Sequence, residues 1–128
     1  MKKSPIFLIL FLLSLFLSSC KYDFILPEVV PPIDNGGEPI SFSAQVAPIF
    51  SNAEKCTSCH KAGGTAPNLV AANAYSQIMT KYVNTTNPEQ SLIYSYPAPA
   101  TGTHTWKKYT ALEAATILAW IKEGAENN

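Results

Sequence analysis

Two cysteines and a histidine near the middle of the chain have the types and spacing for covalent cofactor chemistry. Cys56 and Cys59 are separated by two residues, and His60 follows directly. At this spacing both sulfur atoms can approach one edge of a flat macrocycle and each form a thioether. The adjacent imidazole can then bind a metal at the centre of the ring. Cys-x-x-Cys-His is the attachment signature of a c-type haem, with His60 as the proximal iron ligand.

Three other kinds of site could use this pattern of residues. A structural zinc site needs four ligands, which would have to be the two cysteines, His60 and His104, and His60 is poorly placed directly beside Cys59. A thioredoxin-like redox pair follows a strand and opens a helix in a parallel sheet, an alternation that this sequence lacks. A disulfide between Cys56 and Cys59 is chemically allowed in an oxidising compartment. Haem attachment is the most specific of these interpretations.

The charged residues give no indication of a nucleic-acid partner. The chain has 128 residues, with 9 basic and 9 acidic side chains, and every basic residue is a lysine. It therefore lacks the planar guanidinium forks that favour phosphate recognition. We expect no nucleic-acid binding.

The N-terminus has the pattern of an export signal, predicted over residues 1–19. Two lysines precede an apolar run at residues 6–17, which is shorter than the ~20 residues that a membrane-spanning helix needs. The run ends in Leu-Ser-Ser followed by Cys20, which resembles a bacterial lipoprotein signal and implies a lipid on that cysteine. An ordinary signal peptide with an incidental Cys20 is the alternative. By the same resemblance, Lys21 mildly favours the outer membrane over the inner one.

Residues 20–39 are predicted to be a lipidated tether between this signal and a domain at residues 40–128. Four prolines and the pair Gly36-Gly37 disfavour regular structure, and such a chain could extend up to roughly 60 Å. A strand at residues 22–30 that packs on the domain is the alternative. Lipid on Cys20 and haem on the other two cysteines would use all three cysteines of the chain.

Apolar spacing in residues 40–128 predicts an all-α domain. The first helix is capped by Ser41 or Ser43 and kinked or restarted at Pro48; its apolar face is Phe42, Val46, Ile49, Phe50 and Ala53. A second helix covers residues 72–82, with Tyr75, Ile78, Met79 and Tyr82 on one face.

A third helix is predicted to open at Asn87 as cap, with Leu92 and Ile93 facing inward, and a loop follows at residues 94–108. Thr110 and Glu113 predict a capping box for the last helix. Its stripe is Ala114, Ile117, Leu118, Ile121 and Ala125, with Trp120 on the flank and Gly124 at its end.

The order of a first helix followed at once by the haem signature resembles cytochromes c. It is most similar to small bacterial cytochrome domains with the lead-in Phe-Ser-x-x-Val-x-Pro-Ile-Phe, which is residues 42–50 here. The resemblance covers about residues 40–126. It implies a cytochrome c-like fold, in which the first and last helices pack across each other around one covalent haem. Ile117 and Ile121 would then meet Val46 and Phe50.

The resemblance also implies a role for Pro67. The segment Pro67-Asn68-Leu69 is similar to the Gly-Pro-x-Leu segment of cytochromes c, although Ala66 replaces the glycine. In that family the proline carbonyl accepts a hydrogen bond from the proximal histidine, which here is His60. A plain turn proline is the alternative.

The distal iron ligand of cytochromes c usually comes from the loop before the last helix. That loop has no methionine here but contains His104, so we expect bis-histidine ligation by His60 and His104. Met79 is the alternative ligand, although its helical spacing also suits a methionine that fills the core. A His104 that is exposed and only titrates is the third possibility.

Together these features predict a single-haem electron carrier, rather than a stand-alone catalyst, that is lipid-anchored outside the cytoplasm and exchanges electrons with redox proteins. The alternative is a haem-bearing sensory or accessory subunit whose iron binds a small ligand.

Overall fold

The computed structural model describes residues 30, 32–104, 106 and 108–128. The predicted signal peptide, Cys20 and all but the last residue of the alternative strand at residues 22–30 lie outside this part of the chain. Within it, the structure is helical and contains no strand, so the prediction of an all-α domain is confirmed at that level. No helix among these residues is long and apolar enough to cross a membrane.

Four α-helices form the described part of the chain. They are α1 (Ala47–Ser51), α2 (Ala71–Met79), α3 (Leu92–Ser95) and α4 (Ala111–Lys122). A π-helical turn at Phe42–Val46 runs directly into α1, and short 3-10 turns occupy Asn52–Glu54 and Pro88–Gln90.

The first helical segment begins at a serine cap and restarts at a proline. The Ser41 hydroxyl accepts a hydrogen bond from the Ala44 backbone N–H at 3.2 Å, and Pro48 lies in the first turn of α1. Both follow the prediction, with Ser41 rather than Ser43 as cap. Ala53 was expected on the apolar face, and that prediction is wrong. The chain leaves the helix after Ser51, and Ala53 is exposed with a left-handed φ of 50°.

Helix α2 ends at Met79, earlier than predicted, and only Ile78 of its expected apolar face is fully buried. Tyr75, Met79 and Tyr82 are partly buried and pack against the core. The Tyr75 ring packs inward and its hydroxyl donates to the Ala125 carbonyl at 3.1 Å, so the polar end of the side chain has a partner.

The segment before α3 is organised by Asn84 and Ser91 instead of the predicted Asn87 cap. The Asn87 side chain makes no capping hydrogen bond. The Asn84 side-chain oxygen accepts from the Asn87 backbone N–H at 3.0 Å, and the buried Ser91 hydroxyl accepts from the Asn84 backbone N–H at 2.9 Å. Ile93 faces the core as predicted, but Leu92 is 49% exposed.

Helix α4 has the predicted capping box. The Thr110 hydroxyl accepts from the Glu113 N–H at 3.2 Å, and the Glu113 carboxylate accepts from the Thr110 N–H at 2.7 Å. At the other end, Gly124 has a φ of 107°. Its N–H donates to the Ile121 carbonyl at 3.1 Å, and the Ala125 N–H donates to the Trp120 carbonyl at 2.9 Å. This pair of bonds is a Schellman motif, so the helix terminates where the glycine predicted.

Trp120 belongs to the core, not to the flank where the sequence put it. It is 1% exposed, its ring lies 5.2 Å from that of Phe42, and its indole N–H donates to the Glu126 carbonyl at 2.9 Å. The helical spacing of apolar residues in α4 could not predict that Trp120 is buried, because the Phe42 ring that packs on it comes from the first helical segment of the domain. Leu118, expected in the stripe, is only partly buried.

The first and last helical segments pack together. Helix α4 contacts the turn Phe42–Val46, and one core contains Val46, Phe50, Ile117 and Ile121 without solvent exposure. The contact between the two ends of the domain is therefore present.

Backbone hydrogen bonds join the two ends further. The Ile40 N–H donates to the Glu123 carboxylate at 2.7 Å, and the Phe42 N–H donates to the Asn128 side-chain oxygen at 2.7 Å. Part of the predicted tether also contacts the domain, since Ile33 packs against the core and the side chains of Asn35 and Gln45 are hydrogen-bonded. These contacts hold both ends of the domain together.

Candidate functional site

The segment that carries the two cysteines is a compact turn directly after α1. The Phe50 carbonyl accepts from the Cys56 N–H at 2.9 Å, and the Cys56 carbonyl accepts from the His60 N–H at 2.8 Å. Cys56 is partly buried and Cys59 is exposed, and no disulfide joins them. Both sulfur atoms belong to the same turn, which brings them to one side of His60 in the chain.

The chain after His60 folds back tightly against this turn. The Thr65 N–H donates to the Cys59 carbonyl at 2.9 Å, and Gly64 lies against the same carbonyl. A Cβ atom on Gly64 would be 2.3 Å from the Cys59 oxygen, closer than atoms can approach. A glycine is therefore required at this return of the chain.

The His60 ring is oriented by Pro67. Its Nδ1 atom lies 3.2 Å from the carbonyl oxygen of Pro67, which is buried. A carbonyl can only accept, so Nδ1 carries the proton and the Nε2 lone pair is directed to a different partner. This is the arrangement that metal-binding histidines use, and it is the contact that the resemblance to cytochromes c implies for Pro67.

His104 brings a second imidazole to the same place. The ring centroids of His60 and His104 are 6.2 Å apart, and their planes are inclined by 26°. A metal–imidazole bond is about 2 Å long and the ring nitrogen lies roughly 1 Å from the centroid, so a metal between two imidazoles needs ~6 Å. The spacing of the two rings fits one metal bound by both.

The Nδ1 atom of His104 is buried and has no hydrogen-bond partner among the residues that the structure describes. Buried polar atoms without partners are rare, and this one leaves the His104 ring without the kind of hydrogen bond that orients His60. Met79, the alternative distal ligand, is partly buried against the core and does not line the cavity described next.

A cavity of about 620 Å³ is lined by both cysteines and both histidines. This volume is in the range of sites for organic cofactors. The rest of its lining is mainly apolar and aromatic: Ala66, Pro67, Leu69, Tyr82, Leu92, Ile93, Tyr96, Pro97, Trp106 and Tyr109, together with Lys55, Thr65 and Thr103. An apolar cavity with two imidazoles and two thiols is suited to a flat, hydrophobic, metal-containing ligand.

Three side chains of this lining are unusually exposed for their type. Leu92 and Tyr96 are each 49% exposed, and Trp106 is 68% exposed. A contiguous apolar surface of this kind marks a binding site. It also explains why Leu92 departs from the predicted inward orientation: it faces the cavity instead of the protein core.

Charged groups border one side of the cavity. Lys55 and Glu113 form an ion pair that links the cysteine turn to the first turn of α4. Burial raises the pKa of Glu113, but hydrogen bonds from Lys55 and Thr110 and the charge of Lys55 outweigh it, so the pKa lies below its usual value. Burial, with the nearby Cys56 and Glu113, raises the pKa of Tyr109 well above its usual value, so its phenol stays neutral.

The two imidazoles are the donors that a haem iron would take from a protein. Among the described residues, no group of three or more His, Cys, Asp and Glu side chains is placed to hold an ion together. Zinc held by the polypeptide alone needs such a group, whereas haem iron takes four nitrogen ligands from its macrocycle and needs only the two axial ones. The residues of the cavity therefore fit a covalently attached haem.

Sequence reasoning singled out the two cysteines and two histidines that line this cavity, but it missed the exposed apolar wall and the hydrogen bonds of Lys108. Tyr96, whose ring lies 5.9 Å from that of His104 at an angle of 86°, is one such residue. Its position in a proline-rich loop gave no periodic signal that could have assigned it to the site.

Comparison of the chain with protein-family models, with curated proteins and with solved structures finds no match. A functional assignment therefore depends on the residues of this site.

Proposed function

We propose that this protein is a c-type cytochrome: one haem is attached covalently to Cys56 and Cys59, and the domain transfers single electrons outside the cytoplasm. The observation that carries the proposal is the pair of imidazoles, 6.2 Å apart, in a cavity that also contains both cysteines. The all-α architecture, with its two ends packed together, is compatible with the cytochrome c-like fold that belongs to this proposal.

Each ligand has a separate task in the proposed site. The sulfur atoms hold the haem in place, His60 is the proximal ligand and His104 the distal one. The haem supplies an iron that changes its charge by one electron. Two imidazole ligands favour the ferric state more than a histidine–methionine pair does, so this arrangement predicts a low potential.

The surrounding residues tune this site. The Pro67 carbonyl holds the proton on His60 Nδ1 and makes the opposite nitrogen a stronger donor to the metal. The mainly apolar lining lowers the local dielectric around the iron, which disfavours the state of the iron with the higher net charge. Both effects act without any change of ligand, as electron transfer requires.

The location is proposed from the sequence alone. The lipoprotein-like signal and Cys20 support a lipid anchor on the periplasmic or outer cell surface, with redox proteins as partners. Metabolic labelling with a fatty acid tests this, since Cys20→Ala should abolish incorporation of the label.

Covalent attachment is tested on the full chain produced in a bacterium that matures c-type cytochromes. We expect haem that resists extraction with acidified acetone, and six-coordinate low-spin spectra in both oxidation states. The double variant Cys56→Ser, Cys59→Ser should lose the attached haem, whereas Ser58→Ala, between the two cysteines, should keep it. Extractable haem, or none, would contradict the proposal.

The same spectra separate this function from the alternative, a sensory or accessory subunit. A high-spin ferrous form that binds carbon monoxide readily would exclude a simple electron carrier and favour the sensor.

A further inference from the structure

The two histidines of the site are held in different ways. The His60 ring is fixed by its own hydrogen bond, from Nδ1 to the Pro67 carbonyl. The corresponding atom of His104 is buried and has no partner in the described part of the chain. The orientation of His104 must therefore come from its neighbours and from the loop that carries it.

That loop, between α3 and α4, is tied together by Lys108. Its ammonium group donates to the Thr101 carbonyl and lies 3.4 Å from the Pro99 carbonyl. A charged donor makes stronger hydrogen bonds than a neutral one, and here it joins the residues before His104 to the residues after it. Lys108 is partly buried, and its contact with Thr101 is less exposed to solvent than its contact with Pro99.

Two threonine hydroxyls reinforce the same loop. The Thr103 hydroxyl donates to the Tyr96 carbonyl at 2.6 Å, and the Thr101 hydroxyl donates to the same carbonyl at 3.0 Å. The Tyr96 ring in turn contacts the His104 ring edge-to-face, with centroids 5.9 Å apart. The hydrogen bonds therefore fix both the backbone next to His104 and the ring that packs on it.

We propose that Lys108 is a positioning residue for His104, and that its contacts with the Thr101 and Pro99 carbonyls determine how readily an external ligand replaces His104 at the iron. This inference rests on the proposed haem function. With the ammonium in place, the loop presents the imidazole to the metal; without it, the loop relaxes and the distal position opens.

The test compares Lys108→Met with Lys122→Met in the full, haem-loaded chain. Methionine keeps most of the apolar stem of lysine and removes the ammonium group. Lys122 is the control because it lies on the exposed surface of α4, where its ammonium group pairs with Glu89. The readouts are carbon monoxide binding to the ferrous protein and cyanide binding to the ferric protein. We expect Lys108→Met to bind both roughly tenfold more tightly than wild type, since losing a charge-assisted hydrogen bond changes an equilibrium by that order. Lys122→Met should match wild type.

Two further variants separate positioning from general destabilisation. Thr103→Val should raise affinity for carbon monoxide in the same direction but less, and Lys108→Arg should restore most of the wild-type behaviour. Wild-type affinity in Lys108→Met, at an unchanged haem content, would overturn the inference. Equal effects in Lys122→Met would also overturn it. Failure of the proposed function is distinguishable from these outcomes, because wild type itself would then lack covalent low-spin haem.

Discussion

The imidazole rings of His60 and His104 are nearly parallel, at 26°, and their centroids are 6.2 Å apart. The first ring follows the cysteine turn and the second lies in the loop before α4, so only the folded domain brings them together. Two nearly parallel imidazoles on one iron give a characteristic low-spin electron paramagnetic resonance spectrum, which is the most direct measure of this pairing.

His104→Ala should convert the ferric iron from low-spin to high-spin, because it removes one of the two axial ligands. Met79→Leu should leave the spectrum unchanged and cost less than about 1.5 kcal/mol of stability, since Met79 packs against the core and does not line the cavity. Absorption and electron paramagnetic resonance spectra check both. If Met79→Leu, but not His104→Ala, changed the spin state, Met79 would be the ligand.

Gly64→Ala should impair the cysteine turn. The new Cβ atom would lie 2.3 Å from the Cys59 carbonyl oxygen, so the backbone beside an attachment cysteine must shift. We expect a loss of about 1–3 kcal/mol of stability and a lower yield of covalent haem. Gly102→Ala is the matched control, because its Cβ atom would meet nothing within 4 Å. Haem content per chain and thermal denaturation measure both effects; an unchanged Gly64→Ala protein would contradict the close contact.

The Lys55–Glu113 pair should make a pH-dependent contribution to stability. The pKa of Glu113 is lowered in the folded protein, so its contribution is complete above the normal carboxyl range and is lost as the pH falls through the lowered pKa. Glu113→Gln should cost roughly 0.5–1 kcal/mol at neutral pH, and the difference from wild type should shrink below about pH 4.

The control for this ion pair is Glu89→Gln. Glu89 and Lys122 are also paired, at 2.8 Å, but both side chains are more than half exposed. That substitution should have no measurable effect. Urea denaturation over a range of pH measures the free energy of unfolding of both variants. Equal losses in Glu113→Gln and Glu89→Gln would contradict a larger contribution from the less exposed pair.

Two positions on α4 should differ sharply in their effect on stability. Ile117 is completely buried, so Ile117→Ala should cost about 2–5 kcal/mol through lost contacts and the cavity left behind. Leu112 is 52% exposed on the first turn of the same helix, so Leu112→Ala should change stability by less than about 0.5 kcal/mol. Chemical denaturation of both variants measures the difference. A large loss for Leu112→Ala would indicate an interaction that its exposure does not reveal.

Local signals in the sequence predicted local structure well. The capping box of Thr110 and Glu113, the end of α4 at Gly124 and the restart of the helix at Pro48 were all correct. Each depends on one residue and its nearest neighbours in the chain, so the physical cause is present in the sequence itself.

Features that depend on distant contacts were not predictable in this way. Trp120 is buried because Phe42 packs on it, and Leu92 is exposed because it faces a cavity instead of the core. The expected Asn87 cap was replaced by hydrogen bonds of Asn84 and Ser91. The cysteines and both histidines were identified by residue type and spacing, but the separation of the two rings came only from the folded chain.

The hydrogen bonds between the two ends of the domain also determine its mechanical behaviour. A pull on the chain before residue 33 first meets the contacts of Ile33 and Asn35 and then reaches Ile40 and Phe42, whose backbone N–H groups are bonded to Glu123 and Asn128. The load therefore passes into the far end of α4, and the cysteine turn and the loop of His104 lie outside its path. A domain held to a membrane by its first residues would bear tension at these bonds, while the proposed haem site stayed undistorted.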